Sequence, residues 1–493
     1  MKNRYMKLLA IALTTGLLFT GCGVQKTTTT STAGTAVENS VAAENTGTAA
    51  ASAAAEDAGT AASENSNADA ANPAAAAARA TASANAAAAA SAENGNDEVS
   101  METVTSQTGD TANSYAVADT DAYAEAFSNR DLSGEYDASE AVTITLNGNS
   151  ATADSDAVQI SGSTVTITEA GTYIISGTLE NGSIIVDAGK EDKVQLVLNG
   201  VSINSDTFAA IYVLQADKTF VTLADGTTNT LSNGGAFVAI DENDVDAVVY
   251  SKDDITFNGS GTLKITSSAG HGISGKDEVT ITGGVYEISA GKHAIRAKDS
   301  LAIAGGSFTL TATEDGLHAE NADDESLGSI YIAGGTFNIQ AGDDGIHAIT
   351  LLQIDGGTFD ITAAEGLEAT YIKINDGVIN ISASDDGINA ARKSSIYTPT
   401  VEFNGGTVTI VMGQGDTDGV DSNGNIIVNG GTIDVTGQST FDYDGTAQYN
   451  GGTIIVNGQT VDSIPNQMMG GGMGGGMRGG MNGGMKGGRR GSW

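Results

Sequence analysis

A repeat built on paired glycines constrains the fold of this chain more than any other feature of its sequence. An apolar residue, a variable residue and Gly-Gly (once Asp-Gly) precede an alternating segment such as Thr-Phe-Asp-Ile-Thr-Ala, and the pattern recurs every 20–29 residues. The repeats are ITGGVYEISA (281–290), IAGGSFTLTA (303–312), IAGGTFNIQA (332–341), IDGGTFDITA (354–363), INDGVINISA (374–383), FNGGTVTIVM (403–412) and VNGGTIDVTG (428–437). A period in this range is typical of a solenoid, in which each repeat forms one coil.

Each repeat resolves into three short strands, and alignment of the repeats produces three columns of apolar residues. The columns are Ile273, Ile295, Leu317, Ile346, Leu367, Ile388 and Val420; Ile281, Ile303, Ile332, Ile354, Ile374, Phe403 and Val428; and Tyr286, Phe308, Phe337, Phe359, Ile379, Val408 and Ile433. Strands of this length are unstable alone, but coiling pairs them in parallel and stacks like residues in an apolar core. We therefore predict an all-β fold, a parallel β-helix with three faces per turn.

The aromatic column has two interpretations, a sugar-stacking surface or core. Phe359 and Ile361 share parity in TFDIT, so both are predicted to point inward. Glycines are expected to supply corners with positive φ. The longer insertions ENADDESLGS (320–329) and ARKSSIYTP (391–399) are expected at one corner, which marks a binding side. The segment 141–233 also reads as strands, and the pattern leaves open whether it continues or caps the solenoid.

The two ends of the chain differ from the repeats. Residues 1–22 combine a basic start, a short apolar stretch and the single cysteine, Cys22, which predicts a lipoprotein signal peptide; ordinary secretion is the alternative. Residues 23–120 are rich in Ala, Ser, Thr and Asn, which predicts a disordered tether, and 121–136 suggest a short helix. We assign 136–465 to the β-helix, and 466–493 to a Gly/Met-rich flexible tail rather than to a copper or lipid site.

The charge balance excludes whole classes of partner. The chain has 22 lysines and arginines against 61 aspartates and glutamates, a formal net charge of -39. Such a surface repels nucleic acid and anionic membranes, so the expected contact with a membrane is through the lipid anchor alone. We therefore expect this acidic surface to bind cations.

Acidic residues recur at one corner of the predicted coils. The column contains Asp315, Asp344, Glu365, Asp386 and Asp418, with Asp444 as a further candidate, and Glu314, Asp343 and Asp385 directly precede three of them. Carboxylates in adjacent coils would lie roughly 4.8 Å apart and repel by about 1 kcal/mol in water, or about 3 kcal/mol at an effective dielectric near 20. Oxygen-only clusters suit Ca²⁺, so we predict calcium ligands in these residues; solvated turn residues are the alternative.

A second polar column is expected to form an outward, ligand-binding face. It contains Arg296, His318, His347, Glu368 and Asn389, followed by Asp421. His271 and His293 instead occupy the position before the Gly-Ile or Ala-Ile pair, so a zinc site is a weaker alternative, with a single histidine pair sharing a column.

These stretches resemble a known family, the bacterial carbohydrate-binding domain first described from a clostridial polygalacturonate-binding cell-surface protein. The resemblance rests on GTYIISGTLENGSIIVDA (171–188), VQLVLNGVSINSDTFAAIYVLQADKTFVTLADGTTNTLS (194–232), VVYSKDDITFNGSGTLKI (248–265) and the Asp-Asp-Gly-Ile coils. It implies a right-handed β-helix shaped like pectate lyases, bound calcium, and recognition of acidic plant cell-wall polysaccharide. Because His271 and His293 stand where the family has aspartate, the predicted metal ligands begin at Glu314.

We therefore expect a non-catalytic, calcium-dependent polysaccharide-binding protein, monomeric and held by its lipid on the extracytoplasmic, exposed face of a bacterial cell membrane. One alternative is a calcium-dependent polysaccharide lyase, for which the candidate bases are Lys292, Arg296, Lys298 and Lys373. A structural surface adhesin is the other.

Overall fold

The strands stack in parallel into three ladders, which confirms the predicted parallel β-helix. The computed structural model describes residues 126–414 and 417–467. From residue 211 onward, each coil contributes a strand to ladder 3, then to ladder 1, then to ladder 2. The predictions for the signal peptide with Cys22, for the tether and for nearly all of the tail concern residues outside the described ranges.

Ladder 1 is the face that follows the insertion corner. Its strands are β9 (Lys218–Leu223), β12 (Asp254–Gly259), β15 (Glu278–Ile281), β18 (Ser300–Ile303), β21 (Ser329–Ile332), β24 (Leu351–Ile354), β27 (Tyr371–Ile374), β30 (Thr400–Phe403), β33 (Asn425–Val428) and β36 (Ala447–Tyr449). Ladder 2 follows the paired glycines. Its strands are β10 (Thr228–Asn233), β13 (Thr262–Ser267), β16 (Val285–Ala290), β19 (Ser307–Ala312), β22 (Thr336–Ala341), β25 (Thr358–Ala363), β28 (Val378–Ala383), β31 (Thr407–Met412), β34 (Thr432–Thr436) and β37 (Thr453–Val456).

Ladder 3 carries the acidic and histidine-containing segments. Its strands are β4 (Thr164–Ile167), β6 (Ser183–Asp187), β8 (Ile211–Gln215), β11 (Ala247–Ser251), β14 (His271–Gly275), β17 (Ile295–Ala297), β20 (Leu317–Ala319), β23 (Asp344–Ala348), β26 (Glu365–Ala369), β29 (Ile388–Ala390), β32 (Asp418–Ser422) and β35 (Ser439–Tyr443).

The segment 141–233 continues the solenoid. Its longer strands are β1 (Val142–Gly148), β5 (Gly171–Leu179) and β7 (Lys193–Ser205), in which β5 pairs in parallel with both others, and β7 pairs with both β9 and β10. Antiparallel pairs occur at the ends. They join β1 to β2 (Ala151–Ala153), β3 (Val158–Ser161) to β4, and β37 to β38 (Gln459–Val461).

The core is organised by the three apolar columns, whose register is as predicted. Each residue of each column pairs with its predicted neighbour in the next coil. The rings of Phe308, Phe337 and Phe359 stack with 4.6 Å between successive centroids and are almost fully buried. The aromatic column is therefore core, as predicted, and ring stacking adds to its area burial.

The glycines at the corners serve two different purposes. Gly357, the second glycine of a pair, has φ +111°, and a Cβ there would lie 2.9 Å from the carbonyl oxygen of Gly335. Gly345, which follows Asp344, lacks positive φ, but its Cβ would lie 2.4 Å from Cγ2 of Ile361. The prediction of positive φ thus holds for the second glycine of each pair, whereas the glycine after aspartate is required by close packing.

A segment before the solenoid docks on ladder 1. It contains the helix α1 (Asn129–Leu132), which confirms the predicted short helix. Asp131 is buried, accepts a 2.6 Å hydrogen bond from the Thr256 hydroxyl and lies 2.7 Å from the Lys218 ammonium. This buried ion pair fixes the start of the domain against strands β9 and β12.

The two long insertions lie at the same corner, between ladder 3 and ladder 1, as predicted. They contact each other: the Ser394 hydroxyl donates to the Glu325 carbonyl at 2.7 Å, and the Ser395 hydroxyl donates to the Glu325 carboxylate at 2.8 Å. Within the described ranges, no helix is long and apolar enough to cross a membrane.

Candidate functional site

Two adjacent columns of polar side chains run along ladder 3. The first, here called the corner column, lies where each coil enters the ladder and consists of His271, His293, Asp315, Asp344, Glu365, Asp386, Asp418 and Ser439. The second, the face column, lies three residues further along each coil and consists of Tyr212, Tyr250, Ser274, Arg296, His318, His347, Glu368, Asn389, Asp421 and Asp442. The partner of Asp418 is Ser439, so the inclusion of Asp444 in the corner column is wrong.

Side chains of the corner column accept backbone hydrogen bonds from the next coil. The His293 amide donates to Nδ1 of His271 at 3.2 Å, and the Asp315 amide donates to Nδ1 of His293 at 3.1 Å. The Asp344 and Asp418 amides donate to the carboxylates of Asp315 and Asp386, each at 3.0 Å. Histidine and aspartate thus perform the same structural task, which explains why histidine can occupy this column.

All four histidine rings form one continuous run, contrary to the expectation of a single neighbouring pair. Successive centroids from His271 through His293 and His318 to His347 are 4.9, 4.1 and 5.0 Å apart. The run crosses from the corner column to the face column between His293 and His318. A column alignment treats these positions separately, so it does not reveal the run.

The first two histidines are poor ligands for zinc, although His271, His293 and Glu314 bring ligand atoms within 4.8 Å of one another. Because Nδ1 of each ring accepts a backbone N–H, the neutral ring carries its proton on Nε2. That nitrogen faces Asp246 at 3.2 Å in His271, and Glu314 at 3.3 Å in His293. The lone pair that a metal requires is therefore already committed to the backbone.

The last two histidines contact carboxylates in the middle of the columns. His318 Nδ1 lies 2.7 Å from the Asp315 carboxylate, while His347 Nδ1 lies 3.0 Å from Asp344 and its Nε2 lies 3.3 Å from Glu368. Burial alone would lower the pKa of His347, but its contacts with Asp315 and Asp344 raise it to about 10. His347 is therefore an internal counter-cation. By contrast, burial and neighbouring His318 lower the pKa of His293 to about 3.

Carboxylates beyond His347 are crowded and only partly neutralised. Burial and the neighbouring Glu368 raise the pKa of Glu365 to about 8. Burial raises the pKa of Asp386 to about 6, and burial together with Asp386 raises the pKa of Asp421 to about 7. The raised pKa values mean that the ionised form of each carboxyl is disfavoured without a further cation.

One lysine supplies positive charge at the near end of this acidic group. The Lys393 ammonium lies 2.8 Å from the Glu368 carboxylate. It comes from the 391–399 insertion, so that loop contributes directly to the charge balance of the face column.

Several oxygens in the same coils are buried without a hydrogen-bond partner among the described residues. They belong to Asn389, Thr417, Asp418, Ser439 and Asp442. Thr417 and Ser439 are 4% and 2% exposed. The sequence repeat does not predict Ser439 and Asp442, because their coil lacks the Asp-Gly-Ile signature. The pairing of Phe441 with Val420 aligns them with the other coils.

The predicted metal ligands fall into three environments. Asp315 and Asp344 are buried, and Glu365, Asp386 and Asp418 are half-buried along the corner column. Glu314 has a 45% exposed side chain, and Asp343 and Asp385 are exposed. Ligand atoms of Asp344, Glu365 and Glu368 lie within 4.8 Å of one another. The structure thus brings together the column residues, while their preceding neighbours lie at its solvent side.

The predicted ligand-binding residues lie in the face column, but not all of them are outward. Arg296, His347 and Asn389 are half-buried, whereas His318 and Glu368 are 5% exposed. The expectation of a uniformly exposed face is therefore wrong at His318 and Glu368. Side chains of the two columns form hydrogen bonds and contacts with each other instead of facing solvent: Asn389 donates to Glu365 at 3.0 Å, and His318 contacts Asp315.

The candidate lyase bases are dispersed. Lys292 pairs with Asp246, and Lys298 pairs with Asp323. Lys373 lies on ladder 1, away from both columns. Arg296 is the candidate base that belongs to the face column.

A parallel β-helix with a polar, carboxylate-lined strip along one ladder defines the class of this protein. Residues 161–419 match the family model described as carbohydrate-binding domain-containing protein, and the chain belongs to this family. The predicted resemblance is confirmed at that level.

Two individual proteins are similar to parts of the chain. A carbohydrate-binding domain-containing protein of Acetivibrio thermocellus is 39% identical over 137 residues, covering 27% of this chain and 48% of the relative. The chain thus spans about half the length of this curated relative. The solved structure of a polysaccharide lyase-like protein from C. thermocellum, a gadolinium derivative, is 34% identical with a TM-score of 0.44, covering 49% of this chain and 96% of that one.

Proposed function

We propose that the protein is a non-catalytic, calcium-dependent binder of acidic, pectin-like polysaccharide, which uses the two columns on ladder 3. The observation that carries the proposal is the group of buried oxygens without partners in adjacent coils, at Asp418, Ser439 and Asp442. Buried polar atoms are normally hydrogen-bonded, and those left over require an explanation such as a bound ion. Family membership supports carbohydrate as the partner.

The residues of these coils fit a hard cation. The available donors are carboxylate, hydroxyl and amide oxygens, without nitrogen or sulfur, which is the ligand chemistry of Ca²⁺. Asp386, Asp418 and Asp421 are the proposed ligands, with Ser439 and Asp442 completing the set. The three carboxylates do not converge within 4.8 Å of one another as those of Asp344, Glu365 and Glu368 do, so their side chains would have to turn toward the ion when it binds.

The histidines decide where along the columns the ion would lie. His347, whose pKa is raised to about 10, already supplies a positive charge 3.6 Å from the Asp315 carboxylate. A second cation there would be repelled by the protonated His347. We therefore place the site in the coils of Asp418 and Ser439 rather than at Asp315.

The negative charge of the protein explains why binding of an acidic glycan would require calcium. A protein with a net charge of -39 repels a polyuronate. When bound, calcium supplies positive charge that both the protein's and the sugar's carboxylates can share. The half-buried Asp386 and Asp421 keep this part of the columns open to solvent.

The positions of the candidate bases support binding without catalysis. Proton abstraction requires a group within hydrogen-bond reach of the substrate, next to the cation. Lys292 and Lys298 are occupied by ion pairs, Lys373 lies on another ladder, and Arg296 lies several coils before the proposed ion. We also propose lipidation of Cys22 as the means of retention at the extracytoplasmic membrane surface, with the domain acting as a monomer.

The test combines calorimetry with affinity electrophoresis on polygalacturonate. Wild type is expected to bind calcium and to be retarded by the polysaccharide much more strongly with calcium than with chelator. Asp418→Asn combined with Asp421→Asn should weaken calcium binding by about tenfold or more, because two charged ligands are lost. The control is Asp434→Asn, a half-buried aspartate on ladder 2.

Three results would contradict the proposal. Retardation that is equally strong with calcium and after complete chelation would remove the calcium requirement, and an ultraviolet-absorbing unsaturated product would replace binding with lyase activity. Loss of calcium binding in the control variant to the same degree would move the site away from ladder 3.

A further inference from the structure

The charge of the face column changes along the solenoid. Its acidic members lie toward the C-terminal coils, whereas Tyr250, Ser274 and Arg296 occupy successive coils on the other side of the histidines. Lys276 joins this group, because its ammonium lies 5.6 Å from the centroid of the Tyr250 ring. We call Tyr250, Ser274, Lys276 and Arg296 the basic cluster.

The two cations of this cluster lie near Asp244 and Asp246 but form no salt bridge with them. Throughout 126–414 and 417–467, neither Lys276 nor Arg296 has an ion-pair partner, although acidic residues outnumber basic ones nearly threefold in the whole chain. The nearby Asp246 is occupied by His271 and Lys292. Burial, and then Arg296, lower the pKa of Lys276, as expected for two like charges held close together.

Ser274 provides an independent indication of a ligand. It is 1% exposed, and its hydroxyl has no hydrogen-bond partner among the residues that the structure describes. Its coil position is directly between Tyr250 and Arg296 in the face column. A hydroxyl can donate to an anion, and a buried one without a partner carries an uncompensated desolvation cost until it does so.

We propose that the basic cluster is a second, metal-independent subsite, which binds the carboxylate of a uronic acid residue. Arg296 offers a planar fork suited to a carboxylate, Lys276 adds a point charge held over the Tyr250 ring, and Ser274 donates a hydroxyl hydrogen bond. This subsite rests on the proposed function for its substrate class but not for its chemistry, since calcium has no part in it.

The experiment measures binding of trigalacturonate and of its neutral methyl ester in chelator at low salt, by calorimetry. Wild type should bind the acid and should bind the ester at least about tenfold more weakly, because the ester lacks the anion. Arg296→Gln and Lys276→Met should each lose about tenfold in affinity for the acid. Lys264→Gln, which removes a half-exposed lysine on ladder 2, should change nothing.

The outcomes separate this subsite from the calcium site. If chelated wild type binds acid and ester equally, or binds neither, the subsite is overturned while calcium-dependent retention remains testable. Unchanged affinity in both Arg296→Gln and Lys276→Met, with thermal unfolding like wild type, also overturns it. Loss of the calcium response with intact binding in chelator would instead refute the calcium proposal and support the subsite.

Discussion

At the scale of single residues, His347 is the positive charge that holds the middle of the two columns together. It contacts Asp315, Asp344 and Glu368, and its side chain is 15% exposed. In chelator at pH 7, His347→Gln should lower the free energy of unfolding by about 3 kcal/mol, because removal of one partner leaves buried carboxylates without compensation. Urea denaturation measures this loss.

The pH dependence of the same variant tests the sign of the effect. The pKa of His347 is raised from 6.5 to about 10, so the folded protein holds the proton more tightly than the unfolded chain. Its stabilising contribution is complete below pH 6.5 and is lost as the pH rises through 10. The stability difference between wild type and His347→Gln should therefore shrink between about pH 7 and 10.

A matched control comes from the same run of rings. The pKa of His293 is lowered to about 3, so this ring is neutral above about pH 7 both folded and unfolded. The cost of His293→Gln should be constant across the window. A constant cost for His347→Gln, or a shrinking cost for His293→Gln, would contradict the assigned protonation states.

At the scale of elements, the stacked phenylalanines of β19, β22 and β25 couple neighbouring coils. Phe337→Leu should lower the free energy of unfolding by about 1–2 kcal/mol, since it leaves a small void and removes two stacking contacts. Combined with Phe359→Leu, it should show a coupling energy of about 0.5–1.5 kcal/mol in a double-mutant cycle, measured by denaturant unfolding.

The control pair uses a ring outside the stack. Phe441 is equally buried but lies on ladder 3, several coils away. Because solenoid coils contact their immediate neighbours, Phe337→Leu and Phe441→Leu should be additive. Coupling of equal size in both pairs would mean that the effect spreads through the whole solenoid rather than through ring contacts.

The sequence alone predicts the apolar columns of the strands but not the run of histidine rings or the basic cluster. The apolar columns follow from alternation, because a residue that must face the core fixes the register of its strand, as for Phe359 and Ile361. The run of four histidines depends on how the rings orient where the run passes from the corner column to the face column, which lies three residues further along each coil. The periodicity of the sequence does not specify ring orientation. Periodicity does not predict the basic cluster for a similar reason: Lys276 lies beyond the end of β14 and reaches Tyr250 by its side-chain conformation.

At the scale of the whole molecule, ladder 3 is electrically polarised along the solenoid. The basic cluster with Arg296 lies toward the N-terminal coils, His318 and His347 lie in the middle, and the acidic residues through Asp421 and Asp442 follow. From Arg296 to Asp421 the face column advances by five coils, or roughly 24 Å. A polyuronate lying along the ladder could engage both proposed subsites at once.

This geometry predicts a dependence on chain length. In calcium, the affinity for galacturonate oligomers should rise steeply once the oligomer spans both subsites, because the second contact becomes intramolecular. Arg296→Gln should abolish the steep rise while leaving the affinity for short oligomers at the calcium site unchanged, as measured by calorimetry over a series of lengths. A smooth rise in wild type, or a step of equal size in Arg296→Gln, would mean that a single subsite accounts for binding and that the polarity of the ladder has no part in it.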